Sequence, residues 1–252
     1  FDLYRDIASR TGGDVYVGVV GPVRTGKSTL IKQVMQKLVV DGIENPDERS
    51  RAIDEIPQSA DGKTIMTTQP RFVPNEAVRV PVGDNLAVNM RLIDCVGYLV
   101  AGALGAEEDG KERMVSTPWS EEQIPFSKAA EIGTQKVIKE HSTIALAVTT
   151  DGSFSNISRE EYVEAEERVV RELKECGKPF AIILNVADVN SSEAKQLKDE
   201  LSAKYDAPVL VKNAVQLDEQ DITEILETIL LEFAVTMIDF DLPRWVRALP
   251  MD

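Results

Sequence analysis

Residues that build metal clusters and disulfide frameworks are scarce in this sequence. Its 252 residues include one histidine, His141, and two cysteines, Cys95 and Cys176, which lack CxxC or any other metal-ligand spacing. The composition therefore excludes a zinc-cluster fold and a disulfide-stapled secreted domain, and it favours reduced thiols in a cytosolic protein. We expect His141 to cap or pack a helix end rather than to act as a general base.

Positive charge and long apolar runs are also scarce. Against 43 acidic residues there are 28 lysines and arginines, so the formal net charge is -15 and the pI is near 4.6. A nucleic-acid partner needs a basic face, and because no basic cluster is present we expect no such partner. No apolar run approaches the roughly 18 residues of a membrane span, and no leader pattern is visible. We expect a soluble protein that, because it begins at Phe1 rather than Met, is a piece of a longer one.

What the chain does contain is a complete phosphate loop, Gly21-Pro-Val-Arg-Thr-Gly-Lys-Ser28, between an apolar run at 15–20 and a helix-like segment. Glycines let successive amides point at phosphate, Lys27 supplies a point charge, and the Ser28 hydroxyl suits Mg²⁺. We predict a catalytic role for Lys27 and a salt-bridging role for Arg24. The predicted nucleotide-binding residues here are Gly21, Pro22, Val23, Arg24, Thr25, Gly26, Lys27, Ser28 and Thr29.

Apolar runs alternate with helical periodicity along the rest of the chain. This pattern predicts an α/β P-loop NTPase fold with a doubly wound, mostly parallel sheet. Residues 71–89, broken by prolines, predict an antiparallel hairpin at one sheet edge. The predicted strands are 15–20, 88–93, 144–149, 180–185, 208–212 and 236–240, and the predicted helices are 28–39, 129–141, 159–176, 192–205 and 221–233.

Two long polar segments, 41–69 and 98–126, show no regular pattern and flank the expected nucleotide site. Long loops in such positions are usually functional. We predict one NTPase domain over residues 1–235 and the start of a following region at 236–252.

Two further motifs are typical of a nucleotide switch. Asp94 and Gly97 form a DxxG motif at a strand end, where the carboxylate can hold a water of the Mg²⁺ shell and the Gly97 amide can meet the γ-phosphate. Between this motif and the phosphate loop, Thr67 or Thr68, and less favourably Thr64, can supply a hydroxyl to the metal. We therefore predict Ser28, Thr67, Thr68 and Asp94 as the metal site, with Thr67, Thr68 and Asp94 also catalytic.

Other motifs depart from those of GTPases. Asn185-Val-Ala-Asp188 keeps the asparagine and aspartate of the guanine-reading NKxD motif, but Val186 replaces the lysine, so guanine specificity is in doubt. We predict nucleotide contacts from Asn185 and Asp188, although an ordinary turn explains the pattern equally well. Tyr98 stands where Ras-like switches carry a water-orienting glutamine, so we expect slow or assisted hydrolysis.

Taken together, these segments resemble the stage IV sporulation protein A family over nearly the whole chain. The phosphate loop, the GKTIMTTQP segment at 62–70 and the LIDCVGY strand end at 92–98 carry the resemblance. So do Thr117-Pro-Trp119, Ile124-Pro-Phe126, Glu131-Ile-Gly133-Thr134, Glu140-His-Ser-Thr143 and Ala165-Glu-Glu-Arg168.

The resemblance implies an ATPase related to translation-factor GTPases, whose Mg²⁺-dependent hydrolysis of ATP drives conformational change and self-assembly of the spore-coat basement layer. It implies that Lys27 and Ser28 bind nucleotide and metal, that Thr67 and Thr68 are sensors, and that Asp94 is the acidic metal partner. The implied partners are further copies of the chain, other coat proteins and, through regions outside this sequence, a small amphipathic membrane peptide. The implied location is the mother-cell cytoplasm at the forespore surface. A GTPase-type switch and a non-catalytic, nucleotide-bound scaffold remain alternatives.

Overall fold

A six-stranded sheet forms the centre of the molecule, and from one edge to the other its strands lie at 209–212, 180–185, 144–150, 14–20, 87–94 and 71–81. The computed structural model describes residues 14–40, 46–56, 69–81, 87–103, 107–108 and 111–232. Within the sheet, the strands are β1 (Asp14–Val20), β2 (Arg71–Pro81), β3 (Ala87–Asp94), β8 (Ile144–Thr150), β9 (Phe180–Asn185) and β10 (Val209–Lys212). All pairings are parallel except the one between β2 and β3.

Six helices accompany the sheet in the described part of the chain: α1 (Lys27–Met35), α2 (Pro46–Glu55), α3 (Phe126–Lys136), α4 (Arg159–Glu175), α5 (Ser192–Tyr205) and α6 (Glu219–Leu231). Both α1 and α3 continue into a π-helical turn, at Gln36–Val40 and Val137–His141. Two small hairpins lie outside the sheet, formed by β4 (Glu107–Glu108) with β5 (Lys111–Glu112), and by β6 (Met114–Thr117) with β7 (Ser120–Pro125).

Apolar side chains cover both faces of the sheet, which explains why its strands are continuous apolar runs. Every residue of β8 and β9 is buried. On one face, Leu30 of α1 and Ile225 of α6 join the core, and on the other, Val169 of α4 and Leu201 of α5 do so. Burial on both faces selects β-branched and other apolar residues at successive positions rather than alternate ones. The predicted doubly wound fold is confirmed.

The edge hairpin is also confirmed, with β2 as an edge strand antiparallel to β3. The strand β2 runs through Pro74 with a shift of register between Val73 and Val78, so the proline does not break the strand. An edge strand tolerates proline because one side of its backbone needs no partner strand. His141 packs its ring edge-on against Phe72, with the centroids 5.7 Å apart, as a packing residue does.

The two segments predicted to be irregular contain regular structure, and that prediction was wrong. Helix α2 lies within 41–69, and the β6–β7 hairpin lies within 98–126. Both are polar in sequence, and every side chain within α2 whose burial the structure describes is exposed, so hydrophobic periodicity gave no signal for them. The predicted strand at 236–240 and the domain boundary at 235 lie outside the described residues, and the division into domains stays a prediction. Within the described residues, no helix combines the length and apolarity needed to cross a membrane.

Candidate nucleotide-binding site

The phosphate loop connects the end of β1, a central strand, to the start of α1. Gly26 precedes the helix with φ of 94°, and Lys27 is its first residue. The Lys27 Nζ donates a hydrogen bond to the Pro22 carbonyl oxygen at 2.6 Å, and the Thr25 hydroxyl donates to the same oxygen at 3.0 Å. The loop is thus folded around its lysine, with the N-terminal end of a helix facing the space above it.

Lys27 is a buried cation with 4% of its surface exposed. Burial lowers the pKa of its ammonium group, and Coulombic interactions with Cys95 and Asp94 oppose that shift. A buried ammonium group gains stability when an anion approaches, because the anion favours the charged form. The loop therefore suits a phosphate group electrostatically as well as geometrically.

Asp94 ends β3, the strand beside β1, and meets the start of α1. The Ser28 hydroxyl donates to Asp94 Oδ2 at 2.8 Å. The second carboxylate oxygen, Oδ1, is buried and has no hydrogen-bond partner among the residues that the structure describes. Burial raises the Asp94 pKa, and the Ser28 hydrogen bond and the charge of Lys27 oppose that shift. A hydroxyl and a carboxylate with one free oxygen fit Mg²⁺, which takes few protein ligands and keeps several waters.

Gly97 lies directly against the phosphate loop. Its φ is 93°, and a Cβ built at this position would lie 2.1 Å from the Gly21 carbonyl oxygen and 2.6 Å from Lys27 Nζ. Any other residue would clash with the loop, so the approach depends on glycine. The DxxG motif and the phosphate loop therefore form one structural unit.

Asn185 joins the phosphate loop to the chain segment that follows β10. Its Nδ2 donates to the Thr25 carbonyl oxygen at 3.0 Å, and its Oδ1 accepts from the Ala214 amide at 2.9 Å. A Cβ at Gly26 would lie 2.3 Å from Asn185 Nδ2, so the asparagine also fits closely against the loop. Val186 is fully buried in the core, and Asp188 is exposed. Asn185 is therefore part of the site's framework.

The model of one protein family, "Stage IV sporulation protein A, ATPase domain", matches residues 1–234. This chain belongs to that family. Curated relatives named Stage IV sporulation protein A from Clostridioides difficile (strain 630), Bacillus anthracis and Bacillus subtilis (strain 168) are each 54% identical to it over 248 residues. Those matches cover 98% of this chain and 50% of each relative, so the chain spans about half the length of the curated relatives it matches.

Two solved structures of SsGBP also match this chain. They are a glycine-to-proline and a glycine-to-serine variant, 15% and 16% identical, with TM-scores of 0.48 and 0.47. The matches cover 90% of this chain and 58% and 60% of the two SsGBP chains. The family assignment confirms the resemblance, and with it the class of sporulation ATPase with a nucleotide-binding phosphate loop.

Most of the predicted site residues of this family member lie together in the structure. The phosphate loop with Ser28, the pair Asp94 and Gly97, and Asn185 form one contiguous site. Thr29 is half-buried in the first turn of α1, and Arg24 is exposed with φ of 62°. Asp188 accepts a hydrogen bond from the Asn190 amide at 2.9 Å and, among the residues that the structure describes, makes no hydrogen bond with the phosphate loop.

Thr67 and Thr68, the predicted sensors of this family member, and Thr64 lie outside the described residues, so their roles stay predictions. Two residues that the sequence analysis did not assign to the site also belong to it. Ala214 donates its amide to Asn185, and Tyr98 accepts a backbone hydrogen bond from Val23. For Ala214, the sequence offers only a weak signal, a small residue shortly after a parallel strand.

Proposed function

We propose that this chain binds ATP with Mg²⁺ and hydrolyses the nucleotide to ADP and phosphate. The observation that carries the proposal is the contact between Ser28 and Asp94 beside the buried Lys27. It brings a hydroxyl, a carboxylate and an ammonium group to the end of a central strand, where phosphate-binding loops bind their ligands. The free Asp94 oxygen has the position and chemistry to accept from a metal-bound water.

Each group of the site has a separate role in binding the phosphates and stabilising the transfer. Lys27 exchanges the Pro22 carbonyl for a phosphate oxygen and stabilises the charge that builds up there during transfer. Ser28 and Asp94 would hold the metal, which neutralises charge on the phosphate oxygens when it is bound. The backbone of Gly97 lies against Lys27, and we propose that its amide donates to the terminal phosphate.

We assign adenine rather than guanine as the base. Asn185 braces the loop as the asparagine of the NKxD motif does, but Val186 is packed into the core and offers no ammonium group to the base. Asp188 stays exposed beside this position. Without the lysine, a guanine loses one of its two usual partners, whereas ATP loses none.

Thr67 and Thr68 remain our candidates for the residues that sense the triphosphate. A threonine can ligate Mg²⁺ through its hydroxyl and donate its amide to phosphate, which couples the two events. Replacing both with alanine should lower Mg²⁺-dependent phosphate release by about a hundredfold. Turnover equal to that of the parent chain would remove both threonines from the mechanism.

In the whole protein, hydrolysis would drive the conformational change that permits self-assembly of the coat basement layer. The family assignment supports a role in sporulation. We propose further copies of the chain, other coat proteins and a small amphipathic membrane peptide as its partners, at the forespore surface. Sedimentation of the full-length relative with ATP, ADP or no nucleotide tests it. Equal polymer in all three conditions would contradict the role.

The first test is phosphate release from ATP and from GTP, with Mg²⁺ and with the metal chelated. Lys27→Ala should lower release from ATP by at least about a hundredfold, because the buried charge on the phosphates is lost. Lys32→Ala is the matched control, since Lys32 lies on the same helix and is exposed. A preference for GTP would overturn the base assignment, and no release from either nucleotide would overturn the hydrolase.

A further inference from the structure

Tyr98 connects the DxxG motif to the phosphate loop through its backbone. Its backbone forms a parallel bridge with Pro22, and its carbonyl oxygen accepts a hydrogen bond from the Val23 amide at 2.9 Å. The residue directly follows Gly97, whose backbone lies against Gly21 and Lys27. Any shift of Tyr98 therefore moves the Gly97 amide relative to the bound phosphate.

The side chain of Tyr98 is buried, with 2% of its surface exposed, and is held by charged groups on two helices. Its hydroxyl donates to Glu172 of α4 at 2.6 Å. The Arg168 guanidinium lies 4.1 Å from the ring centroid and donates to Glu172 at 3.2 Å. Arg168 also pairs with Glu131 of α3 at 2.5 Å. We call these four residues the Tyr98 cluster.

The hydrogen bond that the Tyr98 hydroxyl donates excludes a role in orienting water and leaves a role in positioning the backbone. Burial, together with the hydrogen bond to Glu172 and its negative charge, raises the pKa of the phenol, so the group keeps its proton and remains a donor. Because that donor is bonded to Glu172, it is not available to orient a water at the phosphate. The residue can act on the site through its backbone, which the cluster holds in place.

We propose that Tyr98 is a positioning residue that, together with Glu172 and Arg168, holds the Gly97 amide ready for the terminal phosphate and so lets the site distinguish ATP from ADP. The inference rests on the proposed function and deepens it. The fixed amide costs no reorganisation when the triphosphate binds. ADP has no terminal phosphate at this point, so its affinity does not depend on the cluster.

The molecule contains a matched control for this cluster. Tyr205, at the end of α5, donates its hydroxyl to the buried Glu166 of α4 at 2.7 Å, and Arg159 pairs with the same carboxylate. The two clusters have the same chemistry. In each, a tyrosine hydroxyl donates to a glutamate of α4, and an arginine of α4 pairs with that glutamate. Within the described residues, no hydrogen bond joins Tyr205 to the phosphate loop.

The experiment compares Tyr98→Phe with Tyr205→Phe in the 252-residue chain. Calorimetric titration with Mg²⁺ and either ADP or a non-hydrolysable ATP analogue gives both affinities, and thermal unfolding gives the stability of each variant. We expect Tyr98→Phe to bind the ATP analogue about tenfold more weakly, as for a lost hydrogen bond to a charged group, and ADP within about twofold of the parent. Tyr205→Phe should bind both nucleotides as the parent does, and its melting temperature should be similar to that of Tyr98→Phe.

A second pair of variants separates positioning from folding. Glu172→Gln keeps an acceptor for the Tyr98 hydroxyl, and Glu172→Ala removes it. We expect the glutamine variant to retain the affinity for the ATP analogue and the alanine variant to lose it as Tyr98→Phe does. Equal losses for ADP and the analogue, or equal behaviour of Tyr98→Phe and Tyr205→Phe, would overturn the proposal.

Turnover by the parent chain keeps this test separate from that of the proposed function. If the parent releases no phosphate from ATP but Tyr98→Phe still weakens binding of the ATP analogue and not of ADP, the hydrolase is overturned and the positioning role stands. If the parent turns over ATP and Tyr98→Phe changes neither analogue affinity nor kcat, the hydrolase stands and the role of Tyr98 is overturned.

Discussion

Asn185 and Asp188 belong to the same short motif but have opposite surroundings. Asn185 is 5% exposed and satisfies two backbone groups of two different segments, whereas Asp188 is exposed and bonds to the nearby Asn190 amide. A buried side chain that satisfies buried backbone groups is a structural requirement, because each group left unsatisfied costs about 1–3 kcal/mol. An exposed carboxylate is free to meet a ligand.

The two residues should therefore respond differently to substitution. Asn185→Ala leaves the Thr25 carbonyl and the Ala214 amide without their partner, so the free energy of unfolding should fall by about 2 kcal/mol. Its affinities for ATP and GTP should fall together, because the loop loses its brace. Asp188→Ala should change the free energy of unfolding by less than about 0.5 kcal/mol. Denaturant unfolding with nucleotide titration measures both, and a larger loss of stability for Asp188→Ala would contradict this difference.

Single residues were predictable from the sequence where a motif fixes both spacing and chemistry. Lys27, Ser28 and Asp94 were named because a phosphate loop followed by DxxG requires them, and the structure brings them together. The link between Tyr98 and Glu172 was not predictable, because the two are 74 positions apart and their contact depends on how α4 packs on the sheet.

Two helices begin after a serine, and only one of these serines caps its helix with its side chain. Ser158 and Ser191 both precede helices as expected of polar caps. The Ser191 side chain accepts a hydrogen bond from the Ala194 amide at 3.1 Å, whereas Ser158 makes no capping hydrogen bond with its side chain. A cap stabilises a helix when its oxygen satisfies one of the free amides of the first turn.

The same substitution at the two positions should therefore have unequal effects. Ser191→Ala should lower the free energy of unfolding by about 1 kcal/mol, since α5 loses its capping acceptor. Ser158→Ala should lower it by less than about 0.5 kcal/mol. Chemical denaturation of both variants, monitored by circular dichroism, decides the matter. Equal losses would show that the side-chain hydrogen bond is not what stabilises the start of α5.

The elements that the sequence analysis missed lack the signal on which it depended. Helix α2 has the sequence PDERSRAIDE, in which Ile53 is exposed and no apolar stripe repeats. Pro46 at its first position was the available sign of a helix start, since proline there loses no hydrogen bond. Strands β8 and β9 were predictable because they are apolar throughout and buried on both faces.

At the scale of the whole molecule, the fold followed from the alternation of strands and helices, which a doubly wound sheet requires. The domain boundary at 235 and the sensor threonines stay predictions, because they fall outside the described residues.

Charge is a second property of the whole chain, and it gives an expectation for binding kinetics. The formal charge of -15 surrounds a small site that attracts phosphate.

We expect the association rate of Mg²⁺-bound ATP to rise with salt. At about 0.01 M salt the Debye length is about 30 Å, so the net negative charge repels the nucleotide, and at about 0.15 M it is about 8 Å and the repulsion is screened. Stopped-flow binding of a fluorescent ATP analogue should show an increase of about two- to fivefold. An analogue of ADP, with less charge, should show a smaller increase. A rate that falls with salt would mean that local positive charge dominates the approach.

The central position of β1 has a consequence for the time at which the site can exist. In the finished sheet Val17 of β1 pairs with Ile144 of β8, far along the chain. A ribosome adds about 5–20 residues per second, so the nascent phosphate loop waits on the order of ten seconds before β8, the second neighbour of β1, is made. Throughout that interval the growing polypeptide has a complete nucleotide motif in its sequence and at most three of the six strands that support it.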